Sequence, residues 1–386
     1  MRIMYILRSF AVKAGTERVI SDKMNYLSDR GYDISMVTYE QGSHPHAFPL
    51  NHSIHYHHIN APFFTLSKYP LWKRVLKMRG MRRRFREGFQ QAIDKEQPDV
   101  IIATTYSMKL LDIVLKAKTG ACRLLESHVA CFTIRKTYDY RHHPLMRRVA
   151  ALYDKVAFMR IKKFDCVVTL TEGDAHDWGL HSKNVVVIPN PVTAYPETVL
   201  PHDGSGRRII CVGRLNEQKC FDMLIEAFSL ISEKCRDWHV VIFGTGEDEH
   251  MLRGKIHQHQ LEGRINIQRP TDLIYDEYMK SEFYVLSSRY EGYPLVLNEA
   301  MSCGIPCVAF RCNYGPADAI SHGVNGLLAE NGNIEDLSQK MLWMIEHPTE
   351  RLAMGREARE AARRYLPSVI LEKWNQLFRK LTQGEA

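Results

Sequence analysis

The sequence predicts an α/β protein built from two doubly wound domains, each with a mostly parallel sheet. At 386 residues the chain is long for a single core and fits two domains. Strand-like runs alternate with helical stretches in both halves, as in parallel sheets with crossover helices. Between the halves, residues 189–208 contain four prolines and two glycines without apolar periodicity, which indicates a linker. We therefore predict domains over 1–190 and 191–365 and a final helix over 366–386.

Two series of apolar runs define the strands of these domains. The first series is predicted at 3–7, 34–38, 100–103, 123–125, 166–170 and 185–188. The second series is predicted at 209–212, 239–243, 266–268, 283–286 and 306–310. The final helix is amphipathic, and its apolar residues include Trp374, Leu377 and Phe378.

Composition indicates a globular protein of a reducing compartment. Hydrophobic residues make up 45% of the chain, and no apolar run approaches the roughly 18 residues of a membrane span. The opening MRIMYIL is too short for a signal peptide and fits a first buried strand. Nine cysteines without a Cys-x-x-Cys pair indicate free thiols, so we predict a cytoplasmic location.

The most informative segment is EGYPLVLNEAMSCGIPCV, in which Glu291 and Glu299 bracket a turn from loop to helix. Pro294 suits a first helical turn, and Gly304 ends the helix before the next strand. The N–H groups at a helix start attract phosphate, and nearby carboxylates can accept hydrogen bonds from hydroxyls. The pattern fits a nucleotide-sugar. The simpler alternative is a Glu291 that caps the helix and a Glu299 that is solvated.

A cationic loop lies about 80 residues upstream. The stretch IICVGRLNEQKCFDMLIEAF predicts a strand, then a loop with Arg214 and Lys219, then a helix. Open α/β sheets bind ligands at the carboxyl ends of their strands. The planar fork of Arg214 and the compact charge of Lys219 together suit a diphosphate. Each cation alone is more often a surface ion-pair partner, but their order with the two glutamates favours a ligand site.

With VGRLNEQK, FGTGEDEHML and the 291–299 element in this order, the sequence resembles the retaining glycosyltransferases of family four, within glycosyltransferase group 1. The resemblance implies the GT-B fold, in which two Rossmann-like doubly wound domains face a central cleft and the last helix crosses back onto the first domain. It implies that Arg214 and Lys219 hold the donor diphosphate. Glu291 would contact the transferred sugar and Glu299 the ribose. The implied donor site also includes the residues after Glu291, namely Gly292, Tyr293, Pro294 and Leu295.

Cys220, Ala14 and His128 lie at three further positions of the family pattern. Cys220 stands where the family usually has glycine after the lysine, and we expect it to alter the local loop geometry. Ala14 replaces the first of two glycines before the first helix, so only Gly15 is carried over as a donor contact. The family places a histidine facing the donor sugar at the position of His128. A purely structural histidine is the alternative there.

Several glycine and histidine clusters carry weaker signals. Gly244 follows the strand at 239–243, and it either lines the nucleotide or forms a structural turn. Histidines at 52–58 alternate with Ile54 and Tyr56 in a strand-like pattern without an adjacent acid, so a metal role is not favoured. The chain has no Asp-x-Asp motif, and Arg214 and Lys219 can neutralise the charge that a divalent ion would otherwise balance. We predict no metal and no other cofactor.

Charge is distributed unevenly. Residues 1–190 contain 30 Lys and Arg against 17 Asp and Glu, whereas the remainder contains 22 against 27. Eight cations and no acid lie between Lys73 and Arg86. This stretch predicts a helix that binds an anionic membrane surface, and a solvated helix face is the alternative. The apolar residues interleaved at helical spacing are Leu71, Trp72, Val75, Leu76, Met78, Met81, Phe85 and Phe89.

The resemblance therefore predicts a retaining hexosyltransferase that moves a hexose or N-acetylhexosamine to a lipid-linked or oligosaccharide acceptor in cell-surface glycan synthesis. We expect it on the inner face of the cell membrane. Residues 313–318 resemble a segment of family members that use UDP-sugars, which favours UDP. Two other classes stay open. A sugar-nucleotide epimerase can share the fold, but its small soluble substrate does not require the basic helix. A nucleic-acid-binding protein could use the basic helix, but that function does not explain Arg214 and Glu291. We expect no nucleic-acid partner.

Overall fold

The computed structural model describes residues 1–12, 14–198 and 205–383, and it leaves out the side chains at 71, 106, 107, 109, 136, 137 and 383. Part of the predicted linker, 199–204, and the end of the predicted final helix, 384–386, lie outside the described residues. The chain forms two compact units. The first comprises Met1–Leu170, Asp174–Ile188 and Leu371–Ala386, and the second comprises Thr171–Gly173 and Pro189–Ile370.

Thirteen strands make up the two sheets within the described residues. Those of the first unit are β1 (Arg2–Leu7), β2 (Asp33–Thr38), β3 (His55–His58), β4 (Val100–Thr104), β5 (Cys122–Glu126), β6 (Cys166–Thr169) and β7 (Val185–Val187). Those of the second unit are β8 (Arg208–Val212), β9 (His239–Phe243), β10 (Ile265–Gln268), β11 (Phe283–Leu286), β12 (Cys307–Phe310) and β13 (Gly326–Ala329).

Both sheets are parallel and reverse their strand order once. The first runs β3-β2-β1-β4-β5-β6-β7 and the second runs β10-β9-β8-β11-β12-β13. In each sheet the first strand in the chain lies beside the fourth, as in a doubly wound fold. The predicted α/β class with two Rossmann-like domains is therefore confirmed. The neighbouring pairs β1/β4 and β8/β11 mark the points of reversal, where such sheets form ligand crevices.

Helices connect the strands and cover the sheets. In chain order they are α1 (Gly15–Asp29), α2 (Leu71–Glu96), α3 (Leu111–Lys116), α4 (Cys131–Ile134), α5 (Lys136–Asp139), α6 (Pro144–Ile161), α7 (Glu172–Gly179), α8 (Phe221–Ile231), α9 (Glu249–Gln258), α10 (Ile274–Met279), α11 (Leu295–Ser302), α12 (Pro316–Ala319), α13 (Ile334–Glu346), α14 (Pro348–Ala362) and α15 (Pro367–Gln383). Short 3-10 segments lie at Phe63–Lys68, Thr105–Leu110, Ser232–Lys234 and Arg363–Tyr365.

The second unit has a core on each face of its sheet. Side chains alternate along β8, so Ile209 and Cys211 pack in one apolar cluster with Leu224 and Phe228 of α8. Ile210 packs in the other cluster, on the opposite face. In the first unit, the residues of the final helix that belong to it are anchored by buried Trp374, Leu377 and Phe378.

All eleven predicted strands occur, within a residue or two of the predicted ends. The strands that were not predicted are β3 and β13. The first is a polar edge strand with the sequence HYHH, and the second is the four-residue run GLLA after a loop. Neither produces a long apolar run, which is the signal that a buried parallel strand gives.

All nine cysteines are free thiols, as the spacing predicted. Eight of them are buried, and burial raises the pKa of Cys131, Cys166 and Cys303 to about 12. No helix among the described residues has the length and apolar content that crossing a membrane requires.

Candidate active site

The predicted cations and the first glutamate come together at the reversal point of the second sheet. Arg214 and Lys219 follow β8, and Glu291 follows β11, the strand paired with β8. The Nζ atom of Lys219 lies 2.6 Å from Oε1 of Glu291. Both groups are largely withdrawn from water, because the side-chain exposure is 14% for Lys219 and 6% for Glu291. A part-buried, hydrogen-bonded ion pair thus occupies the edge where open α/β sheets bind ligands.

Hydrogen bonds between the two loops hold this pair in register. The hydroxyl of Ser287 donates to the carbonyl of Lys219 at 2.8 Å. The backbone N–H of Arg289 donates to the carbonyl of Gln218 at 2.9 Å, and the Gln218 amide donates to the carbonyl of Tyr290 at 3.0 Å. Each strand end is therefore tied to the loop that leaves its neighbour. The ion pair is positioned by backbone contacts on both sides.

Cys220 occupies the position that follows Lys219, where the family usually has glycine, and it precedes the first residue of α8. Its φ of 49° and ψ of 45° lie in the left-handed region that glycine favours. The Arg289 guanidinium donates from Nε to its Sγ at 2.8 Å. Cys220 thus adopts a backbone conformation that is easy for glycine and uncommon for other residues, and its effect on the loop geometry stays a prediction.

Arg214 presents an exposed cation beside the ion pair. Within the part of the chain that the structure describes, its guanidinium has no hydrogen bond or ion pair. A Cβ atom at the preceding Gly213 would lie 3.3 Å from the Lys219 side-chain carbons, so the Lys219 stem packs against this backbone. Lys219 is therefore held in place by its contacts, whereas Arg214 is free to bind an anion.

Gly244 is explained by close packing of two loops. A Cβ atom at Gly244 would lie 2.0 Å from the carbonyl oxygen of Gly213, and one at Gly246 would lie 2.1 Å from that of Leu215. The Leu215 N–H also donates to the carbonyl of Thr245 at 2.9 Å. The structural-turn interpretation accounts for both glycines. A nucleotide contact at Gly244 stays a prediction.

The loop after Glu291 leads directly into α11. Pro294 is the N-cap residue, Leu295 begins the helix, and no side chain caps the helix N-terminus. The Leu297 N–H donates to the carbonyl of Pro294 at 3.0 Å, and the start of such a helix can also bind an anion. Tyr293 is buried, and its hydroxyl accepts a hydrogen bond from the Asn298 amide, which fixes the turn after Gly292.

Residues 313–318 support this loop from the other side. The Glu291 N–H donates to the carbonyl of Asn313 at 3.3 Å. Gly315 has a φ of 88°, and a Cβ atom there would lie 2.3 Å from Cδ of Pro294. The Asp318 carboxylate accepts from the N–H of Gly315 at 3.0 Å. Only glycine fits this contact, so the segment that resembles UDP-sugar enzymes shapes the turn that carries Glu291.

Glu299 lies in the middle of α11 and is already hydrogen-bonded within the second unit. Its carboxylate accepts from the hydroxyl of Thr193 at 3.1 Å and from that of Tyr278 at 3.2 Å. The structure places Glu299 on the helix after Glu291, as predicted, and shows two polar partners that the sequence did not indicate.

In the first unit, Gly15 begins α1 at the reversal point between β1 and β4, and Ala14 provides no side-chain cap. His128 follows β5 and its side chain is 1% exposed. Its Nε2 lies 3.3 Å from Oε1 of Glu126, and neither ring nitrogen has a hydrogen-bond partner among the described residues. Burial lowers the pKa of His128 to about 4, and Lys23 acts in the same direction against the attraction of Glu126. The imidazole is neutral near pH 7 and can donate or accept a hydrogen bond.

A buried lysine supports His128, and sequence analysis missed it. The Nζ atom of Lys23 lies 2.5 Å from Oε1 of Glu126, and both side chains are 2% exposed. The ammonium also lies 3.8 Å from the ring centroid of Trp374, on the final helix. Burial raises the pKa of the Glu126 carboxyl, but the charge and the hydrogen bond of Lys23 oppose burial, and the pKa is lowered overall. The available signal was a lysine on the apolar stripe of α1.

A second buried carboxylate, also missed, fixes the loop after His128. Asp174 accepts from the N–H of Cys131 at 2.7 Å and from the indole of Trp178 at 3.0 Å. The hydroxyl of Thr169 also donates to it. Burial raises the pKa of Asp174, and these three donors oppose that shift.

The histidine-rich strand β3 has an acidic partner that sequence analysis missed, because the two are far apart in the sequence. Glu96, at the end of α2, lies 2.7 Å from His55 and 2.8 Å from His57. Burial raises the pKa of Glu96, but the hydrogen bonds from the two histidines lower it overall. Among the described residues no group of three or more such side chains could hold a metal ion. The absence of a metal requirement stays a prediction.

The basic helix differs from the prediction in its buried part. Phe85 and Phe89 lie in the core of the first unit and cannot contact a membrane. Arg82 pairs with Asp112, and Arg84 donates to the carbonyl of Asn60 at 3.0 Å. The exposed apolar side chains are instead Trp72, Val75 and Leu76 near the helix start, and the Leu71 side chain lies outside the described residues.

Two family models match the chain in succession. The model described as Glycosyltransferase Family 4 matches residues 14–194, and the one described as Glycosyl transferases group 1 matches residues 197–361. An uncharacterized glycosyltransferase of Haemophilus influenzae is 26% identical over 97% of this chain and 98% of its own. The amylovoran biosynthesis glycosyltransferase AmsD of Erwinia amylovora is 25% identical over 97% and 99%.

Solved structures share the fold over its whole length. The lipopolysaccharide outer core galactosyltransferase WaaB, in its apo form, matches with a TM-score of 0.76 and 20% identity over 100% of both chains. Anabaena HepE in complex with UDP and glucose matches with a TM-score of 0.73 and 18% identity, over 98% of this chain and 100% of its own. These similarities show the GT-B fold.

Proposed function

This chain is a glycosyltransferase of the GT-B fold, and we propose that it transfers a hexose or N-acetylhexosamine, with retention, from a UDP-sugar to a glycan or lipid-linked glycan acceptor. The observation that carries the proposal is the part-buried Lys219–Glu291 pair beside the unpaired Arg214 at the reversal point of the second sheet. Two cations and one carboxylate at that edge match a diphosphate joined to a hydroxyl-rich sugar.

The cations of this site act on the leaving group. When the bond between the anomeric carbon and the diphosphate oxygen breaks, negative charge grows on the diphosphate. Arg214 is free to form a bidentate contact with phosphate oxygens, and Lys219 supplies a compact charge next to them. The uncapped start of α11 adds N–H groups of the same polarity. Preformed donors of this kind stabilise a transition state because they need little reorganisation.

Glu291 acts on the sugar in this proposal. In the structure its carboxylate is held by Lys219. A donor diphosphate that draws Lys219 towards it frees one carboxylate oxygen for sugar hydroxyls, and the remaining negative charge stabilises the positive charge at the anomeric carbon. A retaining hydrolase places a second carboxylate across the bond. We instead propose front-face attack, with the departing diphosphate oxygen taking the proton of the acceptor hydroxyl.

His128 contributes a neutral hydrogen-bonding group rather than an acid. With a pKa of about 4 the imidazole carries no charge at neutral pH. Both ring nitrogens are buried without a partner among the described residues. Such groups are costly to leave unsatisfied, so we propose that a substrate hydroxyl or an ordered water pairs with them.

The choice of UDP rests on two supports. Anabaena HepE, whose structure is a complex with UDP and glucose, matches this fold over 98% of the chain. Residues 313–318, which resemble a segment of UDP-sugar enzymes, pack directly on the loop that carries Glu291. The names of AmsD and WaaB place related chemistry in amylovoran and lipopolysaccharide synthesis, so we propose a cell-surface glycan or its lipid-linked precursor as the acceptor.

We propose that the protein works at the inner face of the membrane through the start of α2. Trp72, Val75 and Leu76 are 64%, 54% and 60% exposed there. Exposed apolar side chains among cations are typical of a helix that lies at an anionic lipid surface. An epimerase of the same fold acts on a small soluble substrate and gains nothing from this surface, which favours the transferase.

UDP is expected to stabilise the protein against thermal unfolding, whereas GDP leaves it unchanged. A ligand at 100 times its Kd adds about 2.7 kcal/mol, so the melting temperature rises measurably. Lys219→Ala is expected to abolish the shift, because it removes a phosphate contact and leaves Glu291 buried without its partner. Differential scanning fluorimetry with a panel of nucleoside diphosphates provides the measurement.

Lys234→Ala, an exposed lysine of the same unit, is the matched control and should respond to UDP like the native protein. A shift with GDP and none with UDP would overturn the choice of base. A full UDP shift in Lys219→Ala would remove the proposed donor site.

A further inference from the structure

The helix α6 carries apolar side chains on its outward face. Leu145, Val149 and Leu152 are 75%, 63% and 66% exposed. Further along the same helix are exposed Met146, Tyr153, Val156 and Met159. The spacing of three, four and seven residues places these side chains along one stripe of the helix. Contiguous exposed apolar surface of this kind marks an interaction site on a soluble protein.

The inward face of α6 makes the pattern unusual. It consists of Ala150, Asp154, Phe158 and Ile161, so an acidic residue points inward while leucines and valines meet solvent. A surface helix that only closes a core has the opposite arrangement. The sequence alone did not reveal this, because an apolar helix is normally assigned to the core.

Cations surround the stripe. Six Lys and Arg and a single acid lie between Arg147 and Lys163. A cavity of about 420 Å³ next to Met159 is lined by Lys155 and Lys162 of this stretch, by Arg135 from before α6 and by Asp154. Arg135 is held in place because its guanidinium lies 3.1 Å from His181 and 5.4 Å from the ring centroid of Phe158. Three cations and one acid thus line the cavity, so it has a net positive charge beside an apolar surface.

Helix α6 and the middle of α2 lie on the same side of the first unit. Asp112 of α3 pairs with Arg82 of α2, and its other oxygen lies 4.0 Å from Arg160 of α6. Phe85 of α2 and Phe158 of α6 pack in the same apolar cluster. The two helices therefore flank α3, and both present apolar side chains and cations outward.

We propose that the outward face of α6 is a second contact with an anionic phospholipid bilayer, in which the Arg135–Lys155–Lys162 cavity binds a headgroup phosphate. The proposal rests on the membrane contact assigned to α2 above and deepens it. A second copy of the chain fits less well, because a symmetric dimer would bring two strongly cationic faces together. An anionic bilayer offers acyl chains to the leucines and phosphates to the cations.

The test measures partition of the full-length protein onto vesicles of equimolar phosphatidylcholine and phosphatidylglycerol by co-sedimentation. Native protein should bind these vesicles and not pure phosphatidylcholine. Lys155→Gln/Lys162→Gln should weaken binding roughly 30-fold, since each lysine near an anionic surface contributes about 1 kcal/mol. Val149→Ser/Leu152→Ser should weaken it at least about tenfold by removing exposed apolar surface.

Matched controls separate this proposal from its alternatives. Arg30→Gln/Lys234→Gln removes the same charge elsewhere and should bind like the native protein, because salt screens distant charges. Loss of binding in Trp72→Ser/Val75→Ser but not in the α6 variants would overturn the α6 site and leave the α2 contact. An absence of native binding to the anionic vesicles would overturn both membrane contacts. The UDP-induced thermal shift of each variant reports separately on the donor site.

Sedimentation velocity of the same proteins tests the alternative in which a second copy of the chain covers the outward face of α6. The native protein and Val149→Ser/Leu152→Ser should have the same mass in solution. A native dimer that this substitution converts to a monomer, with vesicle binding unchanged, would assign the face to a second copy and overturn the lipid proposal.

Discussion

Replacing Glu291 by glutamine is expected to lower kcat about 100-fold to 1000-fold while the KM for the donor changes by less than about tenfold. Glutamine keeps the size of the side chain and can still accept a hydrogen bond from Lys219 across the present 2.6 Å. What it loses is the negative charge, which we propose stabilises the anomeric centre only in the transition state. Steady-state kinetics with a UDP-sugar and excess acceptor measure the effect.

Two other glutamates serve as controls for this experiment. Glu299→Gln should chiefly raise the KM for the donor, because the proposed ribose contact is made equally in the ground state and the transition state. Glu262→Gln, an exposed position of the second unit, should leave both constants unchanged. A Glu291→Gln enzyme with native kcat and a raised KM would show that Glu291 only binds the donor.

Replacing Lys23 by methionine is expected to lower the free energy of unfolding of the first unit by about 3–5 kcal/mol. The substitution leaves Glu126 buried without its cation, and a buried uncompensated carboxylate is strongly unfavourable. It also removes the ammonium from the Trp374 ring. Urea unfolding followed by tryptophan fluorescence provides the measurement.

A double-mutant cycle identifies the source of that loss. Lys23→Met/Glu126→Gln should be less destabilised than the sum of the two single variants, because neither charge is then buried alone. Arg18→Ala breaks an exposed pair with Asp22 on the same helix and should cost less than about 1 kcal/mol. Additive losses in the cycle would mean that the Lys23–Glu126 pair does not support the first unit as we describe.

The fold was predictable because buried parallel strands leave a strong signal. Runs such as 209–212 and 283–286 are short and apolar, and each lies between turn residues and a helix. The polar edge strand β3 lacks that signal, since its one neighbour is β2 and its side chains are mostly exposed. Pairing with β2 defines it as a strand, and pairing is a property of the folded chain.

Part of the candidate site was predictable for a similar reason. Lys219 and Glu291 each follow a strand closely, so a correct sheet topology brings them to one edge. The partners of Glu299 were not predictable, because Thr193 and Tyr278 are far from it in the sequence. Lys23 and Trp374 likewise meet only because the final helix packs within the first unit.

The basic helix α2 shows that apolar periodicity alone does not predict which side chains of a helix are buried. Trp72 and Phe85 lie on one helix with similar composition around them, yet the first is 64% exposed and the second is fully buried. Helix α6 is a second example, because an apolar stripe would be assigned to the core and its leucines are exposed to solvent. Periodicity identifies an apolar stripe, but the neighbours of the helix decide whether the core or another surface covers it.

The stereochemistry of sugar release tests the central claim most directly. The native enzyme should be incubated with an α-linked UDP-sugar in the absence of acceptor, so that water slowly replaces it, and the anomeric proton of the released sugar followed by NMR before mutarotation. The account predicts that UDP appears together with the α anomer and that Lys219→Ala suppresses both signals. First appearance of the β anomer would contradict retention at this site. Undiminished release by Lys219→Ala would place the chemistry elsewhere in the protein.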